Sequence, residues 1–249
     1  MTSTSLFSTG QAPQRLALVD AIRGGAILAM AVYHFGFDLN YLGWIQQQIN
    51  NDLRWLAARA LILGTFLVTV GVSHALAEGQ QKSMAMKLLR IGKIAAAAML
   101  VTAGSWLIFP ASAIYFGTLH AIALMSLLLL LIPLAAWLAC ILGVIAVTLG
   151  NGYYNAIFDN PALAWIGLMT RKPLTEDYVP MLPWFGVCLI GYAAAKALIH
   201  HKLLGRPANI QRMPGFLQWL GLHSLAIYLI HQPVLLGILI PATHLLRSS

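Results

Sequence analysis

Charged residues are scarce in this chain of 249 residues, because Asp, Glu, Lys and Arg together make up only 9% of it. A typical soluble domain contains about 25% charged residues. Hydrophobic residues make up 59% of the chain and its mean hydropathy is +0.78. This composition excludes an ordinary soluble protein and indicates an integral membrane protein.

The chain also lacks the motifs of several enzyme classes. It contains no P-loop, dinucleotide-binding fingerprint, zinc-ligand spacing or serine elbow. The two cysteines, Cys140 and Cys188, lie inside apolar runs and are expected to be buried packing residues, not metal ligands or a disulfide. The net charge of +8 does not indicate nucleic acid, because the Lys and Arg residues cluster in short loops between apolar runs.

Long apolar runs predict an all-α fold, a polytopic membrane helix bundle of about seven transmembrane helices. The runs lie at 16–37, 53–77, 91–109, 118–134, 136–150, 180–200 and 216–241. The polar residues 1–14 lack the basic region of a signal peptide and are predicted to be a disordered tail. Residues 15–249 are predicted to form a single domain.

Basic residues in two loops predict the orientation of this bundle. The segments 78–93 and 196–212 are rich in Lys and Arg, which mark the cytoplasmic side of a membrane protein. Their basic residues are Lys82, Lys87, Arg90, Lys93, Lys196, Lys202, Arg206 and Arg212. The pattern predicts a cytoplasmic N-terminus and an external C-terminus.

Four ionisable residues lie along one face of the first predicted helix, and they are the strongest functional signal. At 100° per residue, Asp20, Arg23, His34 and Asp38 share a face about 60° wide and roughly 27 Å long. A charge at membrane depth costs about 2.5 kcal/mol or more, so such residues face a protein interior or a wet cavity. The stripe therefore predicts a functional site that reaches across the membrane.

His34 and Asp38 are the candidate catalytic residues. Their spacing of four residues would allow the carboxylate to accept a hydrogen bond from the imidazole and fix its tautomer. A histidine held in this way could act as a general base or as a nucleophile. The alternative is a structural pair that only satisfies two buried polar groups.

Arg23 is the candidate ligand-binding cation, at about 16 Å from His34 along the helix axis. It could bind a phosphate group of a ligand that enters from the cytosol, with Asp20 orienting the guanidinium. The alternative is an ion pair in which Arg23 and Asp20 neutralise each other. Gly24 would let a second backbone or a ligand come close.

Five residues of later segments are candidates for lining a substrate pocket: His120, Trp184, Tyr228, His231 and Gln232. Polar side chains on one face of the last predicted helix could instead join helices together, and Trp184 could anchor the chain at the membrane interface. No metal site is expected.

The chain resembles a known family over most of its length, from about Arg15 to about Ile240. The strings RLALVDAIRGGAILAMAVYHFGFDLNYLG, FGTLHAIAL, DYVPMLPWFGVCLIGY and LGLHSLAIYLIHQPVLLGIL resemble blocks of the bacterial heparan-alpha-glucosaminide N-acetyltransferase catalytic-domain-like family. Arg23 and His34 also match the Arg-x10-His pattern of the acyltransferase-3 membrane proteins.

The resemblance implies a multi-pass acyltransferase in the inner membrane of a bacterium. Such an enzyme moves an acetyl group from cytosolic acetyl-coenzyme A to a sugar amine or hydroxyl on the outer side. Carried over by motif, Arg23, with Asp20 and Gly24 beside it, would contact the coenzyme, and His34 would lie at the transfer centre. A homodimer is left open, and a heparan substrate is not implied.

Two other functions remain compatible with the residues themselves. Ionisable groups inside a membrane also form the ion paths of proton-coupled or small-solute transporters, although no inverted repeat is visible. A non-catalytic scaffold would use the polar stripe only to hold helices together. Loss of turnover with an intact fold on replacing His34 would separate the enzyme from the scaffold.

Overall fold

The computed structural model describes residues 17–80, 83–175, 177–201 and 214–247. The predicted tail at 1–14 and the loop residues Lys82, Lys202, Arg206 and Arg212 lie outside these ranges. Within them the chain is helical and contains no strand.

Eight α-helices make up the described part of the chain. They are α1 (Ala17–Tyr41), α2 (Leu53–Glu78), α3 (Met84–Ile108), α4 (Thr118–Leu131), α5 (Ala136–Gly152), α6 (Met181–His200), α7 (Gly215–Leu222) and α8 (Ser224–Arg247). By length and composition α1, α2, α3, α6 and α8 could each cross a membrane, and α4 and α5 are shorter apolar helices. The prediction of an all-α membrane bundle is confirmed.

The predicted helix at 216–241 is two helices, which corrects the sequence-based division. The backbone leaves α7 at His223 and restarts as α8 at Ser224. The apolar character runs through this point, so hydropathy alone shows no break. The cause lies in packing, because the short helix α7 lies against the start of α1.

Close packing of α1 on α7 depends on one glycine in each helix. A Cβ atom on Gly24 would overlap the carbonyl oxygen of Leu217, and one on Gly221 would overlap the carbonyl oxygen of Asp20. The sequence left open whether a backbone or a ligand approaches Gly24, and the structure places a helix backbone there. Gly24 therefore allows two helices to meet.

The remaining core forms where α6 packs between α2 and α5. Cys188 and Tyr192 of α6 are fully buried in it, together with Leu67 of α2. Cys188 is thus the buried packing residue that was expected. Cys140 is instead exposed, which corrects its predicted burial, because it lies on the outward face of α5.

The helix ends gather at two opposite ends of the bundle. At one end, Lys196 Nζ donates hydrogen bonds of 2.9 Å to Glu78 Oε2 and 2.8 Å to the Leu134 carbonyl oxygen. We call this end of the bundle the basic end, because Arg90 and Lys93 follow the α2–α3 turn there. At the opposite end, Trp44 Nε1 donates to Thr243 Oγ1 at 2.7 Å. The predicted cytoplasmic N-terminus and external C-terminus stay predictions.

Candidate functional site

One large cavity of about 1780 Å³ runs through the bundle between α1, α2, α3, α4 and α8. Arg23, Ser73, Arg90 and Lys93 line it toward the basic end. The middle of the cavity is lined by His34, Asp38, Asp177, Tyr228, His231 and Gln232. Asn50, Asn51, Arg59 and Lys172 line it toward the opposite end. The polar stripe of α1 therefore faces a cavity.

Arg23 is held in place by two partners. Its Nη1 atom lies 3.0 Å from Asp20 Oδ1, so the ion pair expected from the spacing of three residues is present. Its Nη2 atom donates a hydrogen bond of 2.7 Å to Ser73 Oγ on α2. The guanidinium is thereby fixed at the wall of the cavity, in the part that Arg90 and Lys93 also line. This concentrates positive charge toward the basic end.

Two histidines meet in the middle of the cavity. The ring centroids of His34 on α1 and His231 on α8 lie 5.0 Å apart, at an interplanar angle of 62°. Nδ1 of His231 lies 2.6 Å from the Tyr228 carbonyl oxygen, which can only accept a hydrogen bond. Nδ1 therefore carries the proton, and Nε2 of the neutral ring presents a lone pair. That buried Nε2 has no hydrogen-bond partner among the described residues.

Asp38 is 2% exposed and makes a hydrogen bond across the cavity wall. Its Oδ1 atom accepts a bond of 2.7 Å from Gln232 Nε2 on α8. The predicted pairing of Asp38 with His34 stays a prediction, whereas the bond to Gln232 is one that spacing along α1 could not reveal. Gln232 Oε1 is buried and, within the described part of the chain, is without a hydrogen-bond partner.

Asp177 is a site residue that sequence reasoning missed. Its carboxylate accepts hydrogen bonds from the Thr118 backbone N–H at 2.7 Å and the Thr118 hydroxyl at 3.2 Å. The Tyr228 hydroxyl donates a third bond of 3.1 Å. The same residue lines the cavity together with His34 and His231. Its one sequence signal was its place at the start of the block DYVPMLPWFGVCLIGY.

The loop that carries Asp177 is anchored by the next residue. Tyr178 lies outside the membrane-spanning segments and donates a hydrogen bond of 2.6 Å from its hydroxyl to the Ala164 carbonyl oxygen. Burial raises the pKa of Tyr178 to about 12, so the hydroxyl keeps the proton that it donates. This contact fixes the loop beside the cavity.

His120 and Trp184 occupy different positions from the histidine pair. Nδ1 of His120 accepts a hydrogen bond of 3.3 Å from the Gly117 N–H, and Nε2 lies 3.1 Å from Thr102 Oγ1. Nδ1 of His120 therefore serves the start of α4 and Nε2 joins α4 to α3, although the imidazole also interacts electrostatically with Asp177. Trp184 packs against the α2–α6 core and lines the cavity.

The described residues contain no cluster of three or more His, Cys, Asp or Glu side chains that could hold a metal ion. The site consists instead of a fixed arginine, two facing imidazoles, a carboxylate that accepts three hydrogen bonds and two unpartnered hydrogen-bond acceptors. Such a set can bind an anion at one end and exchange protons with an amine or hydroxyl in the middle.

A comparison with known protein families identifies a match. A family model described as heparan-alpha-glucosaminide N-acetyltransferase, catalytic, matches residues 15–233. The matched range includes both the arginine and the histidine pair. No protein with a curated description and no solved structure matches the chain.

Proposed function

Because the chain belongs to the heparan-alpha-glucosaminide N-acetyltransferase catalytic family, we propose that this membrane acetyltransferase takes its acetyl group from cytosolic acetyl-coenzyme A. The acceptor is a sugar amine or hydroxyl that approaches from the outer side of a bacterial inner membrane. The basic end of the bundle faces the cytosol in this proposal, as its cations favour.

The donor lies with its phosphates toward the basic end. Arg23 offers a guanidinium already oriented by Asp20 and Ser73, so little ordering is needed when it meets a phosphate. Arg90 and Lys93 add positive charge at the same part of the cavity. A volume of about 1780 Å³ exceeds the roughly 300–1,000 Å³ of common ligand pockets. It therefore supports simultaneous binding of donor and acceptor.

The observation that carries the proposal is a pair of unpartnered hydrogen-bond acceptors, one of which is a ring nitrogen of the histidine pair. Nε2 of His231 and Oε1 of Gln232 are buried and lack hydrogen-bond partners among the described residues. A buried acceptor without a donor costs about 1–3 kcal/mol, so the site favours a ligand that brings donors. An amine or hydroxyl brings such donors.

The two imidazoles form the proton-transfer centre. As the acceptor nitrogen attacks the acetyl carbon, one imidazole takes the proton that the amine loses and becomes an imidazolium. The carbon–sulfur bond breaks, and this imidazolium gives the same proton to the departing sulfur. The products are an amide and a thiol, and both rings, whose centroids lie 5.0 Å apart, are neutral again. The negative charge of Asp177 stabilises an imidazolium in either ring.

The test is acetyl transfer by the purified protein in detergent, with radiolabelled acetyl-coenzyme A and glucosamine. We expect labelled N-acetylglucosamine from the wild-type protein and from His244→Ala, whose exposed side chain does not line the cavity. A well-folded protein that neither binds the coenzyme nor transfers acetyl would contradict the proposal. A transporter would show uptake in vesicles without this product, because transport changes no covalent bond.

A further inference from the structure

The helices α3 and α8 both line the cavity. Near the middle of α3, Ala97 and Ala98 pack in one cluster with Leu225 and Leu229 of α8. Two turns further along α3, a Cβ atom on Gly104 would meet no atom within 4 Å. Gly104 nevertheless lines the cavity. The two helices therefore leave a gap beside Gly104 that is continuous with the cavity.

We call this gap the lateral slot. Of the residues that line the cavity, we assign Leu100, Gly104 and Ile108 of α3 and Leu229, Pro233 and Leu236 of α8 to this slot. All six residues are apolar. Leu100 and Ile108 are 66% and 60% exposed although they line the cavity, so the slot reaches the surface of the bundle.

The surface at the slot is one that faces lipid. Both α3 and α8 are long and apolar enough to cross a membrane, and Gly104 lies about one turn before α3 ends at Ile108. Acyl chains therefore lie next to the opening. Pro233 lines the same cavity as Gln232 and His231, so the slot and the two unpartnered acceptors open onto one space.

The lining changes from apolar to polar between the slot and the water-facing end of the cavity. Asn50, Asn51 and Lys172 line the cavity at that end and offer hydrogen-bond partners for a sugar. One cavity thus provides a polar region, a reaction centre and an apolar exit to the bilayer. This combination matches an amphiphile with a sugar headgroup and a hydrocarbon tail.

We propose that the acceptor is a membrane-anchored amino sugar, which enters sideways from the outer leaflet between α3 and α8. The inference rests on the proposed acetyl transfer and names the class of its acceptor. The hydrocarbon tail stays in the lateral slot while the amine reaches His231 and Gln232. Each methylene of the tail that stays out of water contributes about 0.8 kcal/mol to retention in the bilayer.

The test blocks the slot without disturbing the fold. In Gly104→Phe the new side chain extends into open space at the slot. The control is Gly92→Phe, also on α3, where a Cβ atom likewise meets nothing within 4 Å. Gly92 does not line the cavity. Both proteins are reconstituted in proteoliposomes with acetyl-coenzyme A. The acceptors are hexadecyl glucosaminide and methyl glucosaminide, which share one headgroup.

We expect Gly104→Phe to lower kcat/KM for hexadecyl glucosaminide by about tenfold or more, a loss of about 1.4 kcal/mol in transition-state binding. Transfer to methyl glucosaminide and all transfer by Gly92→Phe should stay close to wild type. Equal losses with both acceptors, or no loss with either, would overturn the inference while leaving the acetyltransferase proposal standing. A wild-type protein that acetylates neither acceptor would remove both proposals together.

A second copy of the chain is the competing occupant of the slot. In that case Gly104→Phe would shift the oligomeric state measured by light scattering and leave the relative use of the two acceptors unchanged. This result would assign the slot to a subunit interface and overturn the lipid-linked acceptor. We expect an unchanged oligomeric state together with selective loss of the hexadecyl acceptor.

Discussion

The imidazole of His34 on the first helix faces the imidazole of His231 on the last, with 5.0 Å between the ring centroids. Asp38 lies one turn after His34 on α1, and it accepts a hydrogen bond from Gln232, the residue that follows His231 on α8. These contacts bring the stripe on α1 and the polar face of α8 together at one cavity. The site therefore depends on the position of α8 as much as on α1.

Replacing His231 with Ala tests whether this ring takes part in proton transfer. Its Nδ1 is occupied by the Tyr228 carbonyl and its Nε2 has no partner among the described residues, so Nε2 is the nitrogen available to an acceptor. We expect kcat to fall by about 10²–10⁴-fold in His231→Ala and in His34→Ala, the range typical of general acid–base catalysis. The measurement is the initial rate of acetyl transfer at saturating donor.

The histidine prediction has a control in His244→Ala, which removes an exposed imidazole from the same helix. Thermal unfolding of each variant must match the wild type for the comparison to hold. A kcat within about twofold of wild type for His231→Ala would limit that ring to a packing role.

Replacing Arg23 with Ala should weaken binding of the donor more than that of the acceptor. The guanidinium is oriented by Asp20 and Ser73, and a charged hydrogen bond to phosphate is worth about 1.5–3 kcal/mol, so Kd for acetyl-coenzyme A should rise about ten- to a hundredfold. Arg23→Lys keeps the positive charge but loses the paired N–H donors of the guanidinium, so we expect a Kd between those of the wild type and Arg23→Ala. Calorimetric titration with acetyl-coenzyme A measures this Kd. An equal rise in the KM for the acceptor would refute the proposal that the donor and the acceptor bind at different ends of the cavity.

Replacing Asp177 with Asn should reduce both turnover and stability. The carboxylate accepts three hydrogen bonds, from the Thr118 N–H, the Thr118 hydroxyl and the Tyr228 hydroxyl. Asn offers one acceptor oxygen and no charge, which removes the stabilisation of an imidazolium nearby. We expect Asp177→Asn to lower kcat more than Tyr228→Phe, which removes only one of the bonds. Equal kcat values in the two variants would show that the charge itself is dispensable.

Two adjacent glycines provide a matched test of the α1–α7 contact. A Cβ on Gly24 overlaps the carbonyl oxygen of Leu217, whereas one on Gly25 meets nothing within 4 Å. We expect Gly24→Ala to destabilise the protein by about 1–3 kcal/mol, because the helices must move apart. Gly25→Ala should be neutral or stabilising by about 0.5–1 kcal/mol, because Ala favours a helix. Thermal unfolding in detergent compares the stabilities of the two variants. Similar melting temperatures for Gly24→Ala and Gly25→Ala would contradict the observed packing.

The contacts that sequence reasoning predicted are local ones. The ion pair between Asp20 and Arg23 follows from a spacing of three residues on a helix, and it is present at 3.0 Å. Periodicity also placed the stripe on one face of α1, and that face lines the cavity. The sequence-based errors are of another kind: the break at His223 and the exposure of Cys140 depend on which surfaces other helices cover.

Apolar runs and helical spacing by themselves determined that this chain is a bundle of membrane helices with a row of ionisable groups along its first helix, because hydropathy and the 3.6-residue period act within one segment. Only the tertiary structure decided that His231 faces His34, that Asp177 is held by α4 and α8, and that open space lies beside Gly104 on α3. Those relationships join segments far apart in the chain. Their geometry is decided by helix packing, which no single segment specifies.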